Sequence, residues 1–357
     1  MRTWLGSCVV ALTGFACSAQ PESSSARSLT VREAPPGYPS GVLAAVAPAS
    51  SPLTEPRAEL GRRLFFDKRL SSNNSVACAT CHQQQYAFSD PDAVSTGVGG
   101  LMGTRNASAL VNLAWGTHFF WDGRAGSLEE QSTQPIENRI EMALPLTEAI
   151  ERLNNDSSYV AAFSAAFGAP PQLESLQQAL ASFVRTLVSS DSPYDQHLRG
   201  DDHAFGPGAQ RGEALFLSER AACFHCHPGG RLTNGGFFNN GTFVDGGDVG
   251  RAAVTHLSGD VGKFKVPTLR NVAFTAPYMH DGSLATLSEV IDQYARGGRG
   301  DPTTDPQIKP LSLAEDEKAD LIEFLLALSD EQFTNDHRYS AERGLVLGCV
   351  RGQGPSC

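Results

Sequence analysis

Two short runs concentrate the groups able to hold a redox metal: Cys78-Ala79-Thr80-Cys81-His82 and Cys223-Phe224-His225-Cys226-His227. Thiols at that spacing can bond to the two vinyl groups of one haem, and the adjacent histidine reaches the iron from the same side. Cysteine and histidine also ligate zinc, but a closed zinc site needs further ligands at similar spacing. Neither run has a CxxC or HxxxH partner. The sequence therefore predicts two covalently attached c-type haems. One is held by Cys78, Cys81 and His82, the other by Cys223, Cys226 and His227.

Such attachment takes place outside the cytoplasm, and the N-terminus agrees. Arg2, an apolar stretch from Trp4 to Phe15 and the small-residue end at Cys17-Ser18-Ala19 read as an export signal over residues 1–19. The apolar stretch is too short to span a bilayer. Cleavage and release into the periplasm is the expectation, with lipidation at Cys17 as the alternative. Residues 20–56, rich in Ser, Ala and Pro, read as a tether or an irregular wrapping arm. Of the eight cysteines, Cys349 and Cys357 remain, in a Gly-rich tail over 336–357. In an oxidising compartment they form a small disulfide loop or stay as exposed thiols. A formal charge of −11 argues against nucleic acid or an anionic membrane as partner.

The elements that position these motifs come in two copies. Gly61-Arg62-Arg63-Leu64-Phe65 precedes the first motif and Gly212-Glu213-Ala214-Leu215-Phe216 the second. Downstream, Leu110-Val111-Asn112-Leu113-Ala114-Trp115 parallels Leu269-Arg270-Asn271-Val272-Ala273-Phe274. Without a gap, Trp121-Asp122-Gly123 then parallels His280-Asp281-Gly282. Residues 147–167, 172–187 and 313–328 carry apolar residues at helical spacing, and convincing alternating strands are absent. The expected fold is mainly α: two tandem cytochrome c-like haem domains related by internal duplication, over 57–200 and 201–335. The linker falls in the Gly-, Asp- and Pro-containing stretch 198–210.

The copies differ where a second axial ligand would stand. Seven residues after Leu287 comes Tyr294, and seven after Leu128 comes Pro135. Equivalent placement gives the second haem a phenolate ligand and leaves the first open; the competing reading is that both residues merely pack. An open iron admits a small oxidant such as hydrogen peroxide, whose O–O cleavage needs a group that moves a proton between the oxygens. Gln131, Glu137 and Glu141 lie nearby in sequence. Glu141 opens the apolar run Met142-Ala143-Leu144-Pro145-Leu146, where burial would raise its pKa.

These residues resemble the bacterial di-haem cytochrome c peroxidases and their relative MauG. The likeness spans roughly Leu60 to Leu328. It rests on both CxxCH motifs, Arg105-Asn106, Phe120-Trp121-Asp122-Gly123-Arg124, Leu128 to Gln131, Pro135 to Asn138 and Glu141-Met142. Pro267 to Val272 and Pro277 to Gly282 complete it in the second half. The resemblance implies His82 and His227 as proximal ligands, Gln131 and Glu141 lining the peroxide pocket, and Trp121 relaying electrons between the haems. It also implies an interhaem calcium ion held by Asn106 and by the carbonyls of Thr275 and Pro277. The chain departs from the peroxidase branch twice. Gly97-Val98-Gly99-Gly100 offers no capping histidine, and Tyr294 replaces a methionine, as in MauG. Met279 and His118 are the alternative ligands for the second and first haem, with packing and a loop position as their blander readings.

Three functions compete. A peroxidase draws electrons from a small cytochrome c or cupredoxin; a MauG-like oxidase modifies residues of a partner protein; a non-enzymatic carrier or sensor uses two closed haems.

Overall fold

The computed structural model describes residues 34–38, 46–242 and 246–341. The expected signal, Cys17 and the Cys349–Cys357 pair lie outside the described residues.

The first half contains α1 (Glu55–Phe65), α2 (Leu128–Glu137), α3 (Leu146–Asn154), α4 (Ser157–Phe167), α5 (Leu173–Thr186) and α6 (Pro193–Leu198). The second contains α7 (Pro207–Phe216), β1 (Phe237–Phe238), β2 (Phe264–Lys265), α8 (Leu287–Ala295), α9 (Glu315–Leu326) and α10 (Glu331–Asn335). Among the described residues, sheet is confined to the antiparallel pairing of β1 with β2, in register Phe237 with Lys265 and Phe238 with Phe264. No described helix is long and apolar enough to cross a membrane. The fold is mainly helical, as the sequence predicts.

Two differences have local causes. The pattern over 147–167 is two helices, because the Asp156 side chain accepts from the N–H groups of Ser158 and Tyr159 and caps a new start. The turn-rich stretch is confined to 199–206, since Pro207 begins α7 at a position where its missing N–H costs no hydrogen bond.

Each half is built on one helix crossing, and the repeated glycines permit it. A Cβ on Gly61 of α1 would lie 1.9 Å from the Ala179 carbonyl oxygen of α5. One on Gly212 of α7 would lie 2.0 Å from the Asp320 carbonyl oxygen of α9. Around the first crossing Phe65, Phe88 and Phe183 form a buried aromatic core; around the second, Phe216, Leu321 and Phe324 form a buried apolar one. Phe333 of α10 and Tyr339 join the first-half core, where the Tyr339 hydroxyl donates to the Thr186 carbonyl at 2.8 Å. The chain thus returns to its first half at its end.

The duplication extends into the backbone. Asn112 and its counterpart Asn271 have φ of 56° and 62°, and Phe120 and its counterpart Met279 have 64° and 75°. These left-handed residues make the turns that carry Trp121 and His280. The Trp121 carbonyl accepts from the Lys265 N–H at 2.7 Å, while the His280 carbonyl accepts from the Asn106 N–H at 2.8 Å. The halves therefore meet through reciprocal strand-like contacts.

Candidate functional site

Each CxxCH is a single tight turn that turns its histidine back on its first cysteine. The His82 N–H donates to the Cys78 carbonyl at 2.9 Å and the His227 N–H to that of Cys223 at 3.0 Å. His82 Nδ1 lies 2.8 Å from the Phe88 carbonyl oxygen and His227 Nδ1 lies 2.9 Å from that of Leu232. A carbonyl only accepts, so Nδ1 carries the proton and the Nε2 lone pair is left for a metal. Burial lowers the pKa of both imidazoles, that of His227 to about 4, which keeps them in the neutral, ligating form. Burial also pushes the Cys78 and Cys223 thiols up to about 12, so both stay protonated and are poor thiolate ligands for a metal ion. Among the described residues no three His, Cys, Asp or Glu side chains converge as a closed zinc site requires.

Both motifs open into one cavity of about 1100 Å³, lined by Cys81, His82, Cys223, Cys226 and His227. Its volume, its two cysteine–histidine sets and its apolar walls fit two haems.

On the first-half side the cavity meets Gln131, Pro135, Asn138 and Glu141. Gln131 and Pro135 ride on α2, whose N-cap Ser127 accepts from the Glu130 N–H. The Arg185–Glu129 ion pair, at 2.7 Å, fastens α2 to α5. Asn138 ends α2, and its side-chain amide donates to Glu141 Oε1 at 2.7 Å. Burial raises the Glu141 pKa; the Asn138 hydrogen bond and the Arg124 charge pull it back only in part. Gly97 to Gly100 run past Glu141, with the Val98 N–H on the Glu141 carbonyl at 2.9 Å.

On the second-half side stand Tyr294 and Met279. The Asn240 side-chain amide lies 3.3 Å from both the Tyr294 hydroxyl and the Met279 sulfur. Its orientation is set by Thr242, whose hydroxyl donates to Asn240 Oδ1 at 2.6 Å. The left-handed turn at Met279 belongs to the repeat, since Phe120 shares it. His118 is exposed, packs on Phe237 and does not line the cavity.

Between the two sides lies Trp121, whose indole N–H donates to the Asn106 carbonyl at 2.9 Å. Asn106, Thr275 and Pro277 line the same cavity. The Asn106 amide nitrogen donates to the carbonyls of Asp92 and Ala93 at 3.2 and 3.3 Å, so Oδ1 stays available as an oxygen ligand.

Asn240 and Lys265 escape sequence reasoning, and Arg105 enters it only as part of a motif with no role assigned. Asn240 lies in a stretch without periodicity. Arg105 ties the halves together, holding Asp122 at 2.6 Å and Asp248 at 2.5 Å. Lys265 is assigned no role from sequence, yet lines the cavity. The repeat itself held the signal for Lys265, because it stands four residues before Leu269 as Asn106 stands before Leu110.

Fold and site together define a c-type di-haem protein of duplicated cytochrome-like architecture. A family model described as di-haem cytochrome c peroxidase matches residues 55–203. The chain is 41% identical over 288 residues to the methylamine utilization protein MauG of Methylorubrum extorquens, covering 80% of this chain and 81% of that one. It is 34% identical over 291 residues to the cytochrome c551 peroxidase of Pseudomonas aeruginosa, covering 79% and 81%. Among solved structures, a MauG-like protein associated with microbial copper homeostasis superimposes with a TM-score of 0.79 at 34% identity, over 86% of this chain and 96% of that one. The chain belongs to the di-haem cytochrome c peroxidase and MauG family of oxidoreductases.

Proposed function

We propose that this protein is an exported, periplasmic di-haem peroxidase-like oxidoreductase. On this reading it reduces hydrogen peroxide in the first-half compartment, with electrons reaching it through the second half from a small redox protein such as a cytochrome c or cupredoxin. The observation that carries the reading is Glu141: a half-buried carboxyl of raised pKa in the same cavity as His82 and the non-ligating Pro135.

Haem bound through Cys78, Cys81 and His82 and through Cys223, Cys226 and His227 supplies the iron and its one-electron chemistry. The protein's own residues manage protons and geometry. Reducing peroxide to two waters consumes two electrons and two protons. Asn138 holds Glu141 Oε1, leaving Oε2 to take the proton from the inner peroxide oxygen and return it to the outer one. The Gln131 amide orients the oxidant. Tyr294, with Asn240 donating to its oxygen, would hold the iron of the second-half haem and keep oxidant out, and Trp121 would carry electrons between the compartments. Asn106 Oδ1 and the carbonyls of Thr275 and Pro277 form an all-oxygen set of the kind calcium prefers.

A second reading, oxidation of residues on a partner protein, is favoured by Tyr294 and by the likeness to MauG. The deciding experiment treats the resting protein with peroxide and then with reduced cytochrome c or cupredoxin. Rapid oxidation of the small donor supports peroxidase function; stable oxidising equivalents that only a partner protein discharges support the second reading. A resting EPR spectrum without high-spin iron, together with no response to peroxide, overturns both in favour of an electron carrier or sensor.

A further inference from the structure

Among the described residues, a lysine inside the haem cavity has no anion beside it. Lys265 ends β2 and lines the cavity, with its N–H on the Trp121 carbonyl. Burial pushes its ammonium down to about 8, and no neighbouring carboxylate or hydrogen bond offsets that shift. Lys309, another cation lining the cavity, is exposed, and the remaining cations of the cavity wall and of the strand and turn next to Lys265 are engaged. Arg105 holds Asp122 and Asp248, Lys263 holds Asp260, Arg270 holds Asp195, and Arg251 donates to the carbonyls of Asp122 and Gly123. An enclosed ammonium with nothing to pair with is strongly unfavourable, so the position calls for an anionic group from outside the chain.

The duplication sharpens the point. Asn106 is the counterpart of Lys265, and the two make reciprocal backbone contacts with His280 and Trp121. The first copy fills this position with a neutral amide whose nitrogen is engaged by the carbonyls of Asp92 and Ala93. The second fills it with a cation that no described carboxylate or hydrogen bond engages. A buried charge introduced on one side of a pseudo-symmetric interface requires a partner on that side.

We infer that Lys265 is a carboxylate-binding residue of the cavity, its ammonium pairing with a propionate of one of the two haems and positioning that haem's edge beside Trp121. The inference rests on the two-haem reading. The propionates are the ionised groups of the macrocycle, and ammonium–carboxylate pairing in an enclosed site is strong and directional. A cation held there disfavours ferric iron, so Lys265 raises the reduction potential of the haem that it pairs with.

The test is spectropotentiometric titration of both haems in the holoprotein, in wild type and in Lys265→Met and Lys265→Arg. Losing a charged hydrogen-bonded pair should move one haem's ferric–ferrous equilibrium about tenfold towards ferric in K265M, about 59 mV for one electron. K265R, which keeps the cation, should stay within about a third of that shift. The haem that moves identifies whose propionate is held. Unmoved potentials of both haems in fully loaded K265M overturn the inference while the two-haem reading stands. A wild-type chain without covalent haem overturns both. If K265M does not fold or load, redox-difference infrared spectra of wild type with 13C-labelled haem carboxyls decide. A labelled ionised-carboxylate band persisting at about pH 3, where an ordinary carboxyl is largely protonated, supports the pairing. Labelled bands only in the protonated region overturn it.

Discussion

Glu141 is a carboxyl whose two oxygens have different company, and its pH behaviour follows from that. Oε1 accepts from Asn138, while burial pushes the pKa above the usual carboxylate range. Only the ionised form can take a proton from peroxide, so turnover should rise with pH through that raised pKa. Glu141→Gln should lower peroxide turnover by about 10²–10⁴-fold and abolish this acid limb, with both haems still attached by absorbance. Asn138→Ala has a different signature. The Asn138 hydrogen bond favours the ionised carboxylate, so its removal moves the acid limb to higher pH while the turnover plateau above it falls less than in E141Q. A pH–rate profile of each variant checks both; an unmoved limb in N138A would separate Asn138 from the proton chemistry. Much of this site was legible in sequence, because Gln131, Pro135 and Glu141 are near neighbours on one helix and the turn after it. The Asn138 clamp was not, since it depends on the turn that brings the amide back onto the carboxyl.

At the scale of elements, the repeated glycines are contact points rather than flexible joints. Gly212 meets the Asp320 carbonyl across the α7–α9 crossing, which holds the helix leading into the second haem motif. Gly212→Ala should force the helices apart and destabilise the protein by about 1–3 kcal/mol in chemical denaturation. Gly259→Ala, at a position with open space for a Cβ, serves as control and should change stability by less than about 0.5 kcal/mol. Equal effects of the two would show that the crossing relaxes freely. The GxxLF spacing was visible in sequence as a repeat, but its meaning as a helix crossing appears only when the partner helix, over a hundred residues away, is in place.

Over the whole molecule, Arg105 joins the halves by holding Asp122 from its own half and Asp248 from the other. Burial alone would raise both carboxyls, and the Arg105 hydrogen bonds and charge more than reverse it, so both are held below the usual range. A depressed carboxylate contributes stability above its unfolded pKa and loses it as pH falls through the folded one. This contribution is therefore fully present above about pH 5 and fades below about pH 4. Urea denaturation at about pH 6 and pH 3 should show a larger acid loss in wild type than in Arg105→Met. Equal losses would place the acid sensitivity elsewhere.

Local spacing carried the chemistry that needs only neighbours: two thiols and a histidine per haem, helices of 3.6-residue period, and a duplication that set Tyr294 against Pro135. These follow from sequence because bond geometry and helix pitch act over a few residues. The closing of the chain on itself decided the rest. It brought Arg105 to Asp248, Phe333 and Tyr339 back to the first-half core, and Lys265 to the wall of the haem cavity. Burial, and with it the pKa of Glu141 and the need of Lys265 for an anion, is a property of everything packed around a group. That environment comes from residues far apart in the chain and exists only once they are folded together.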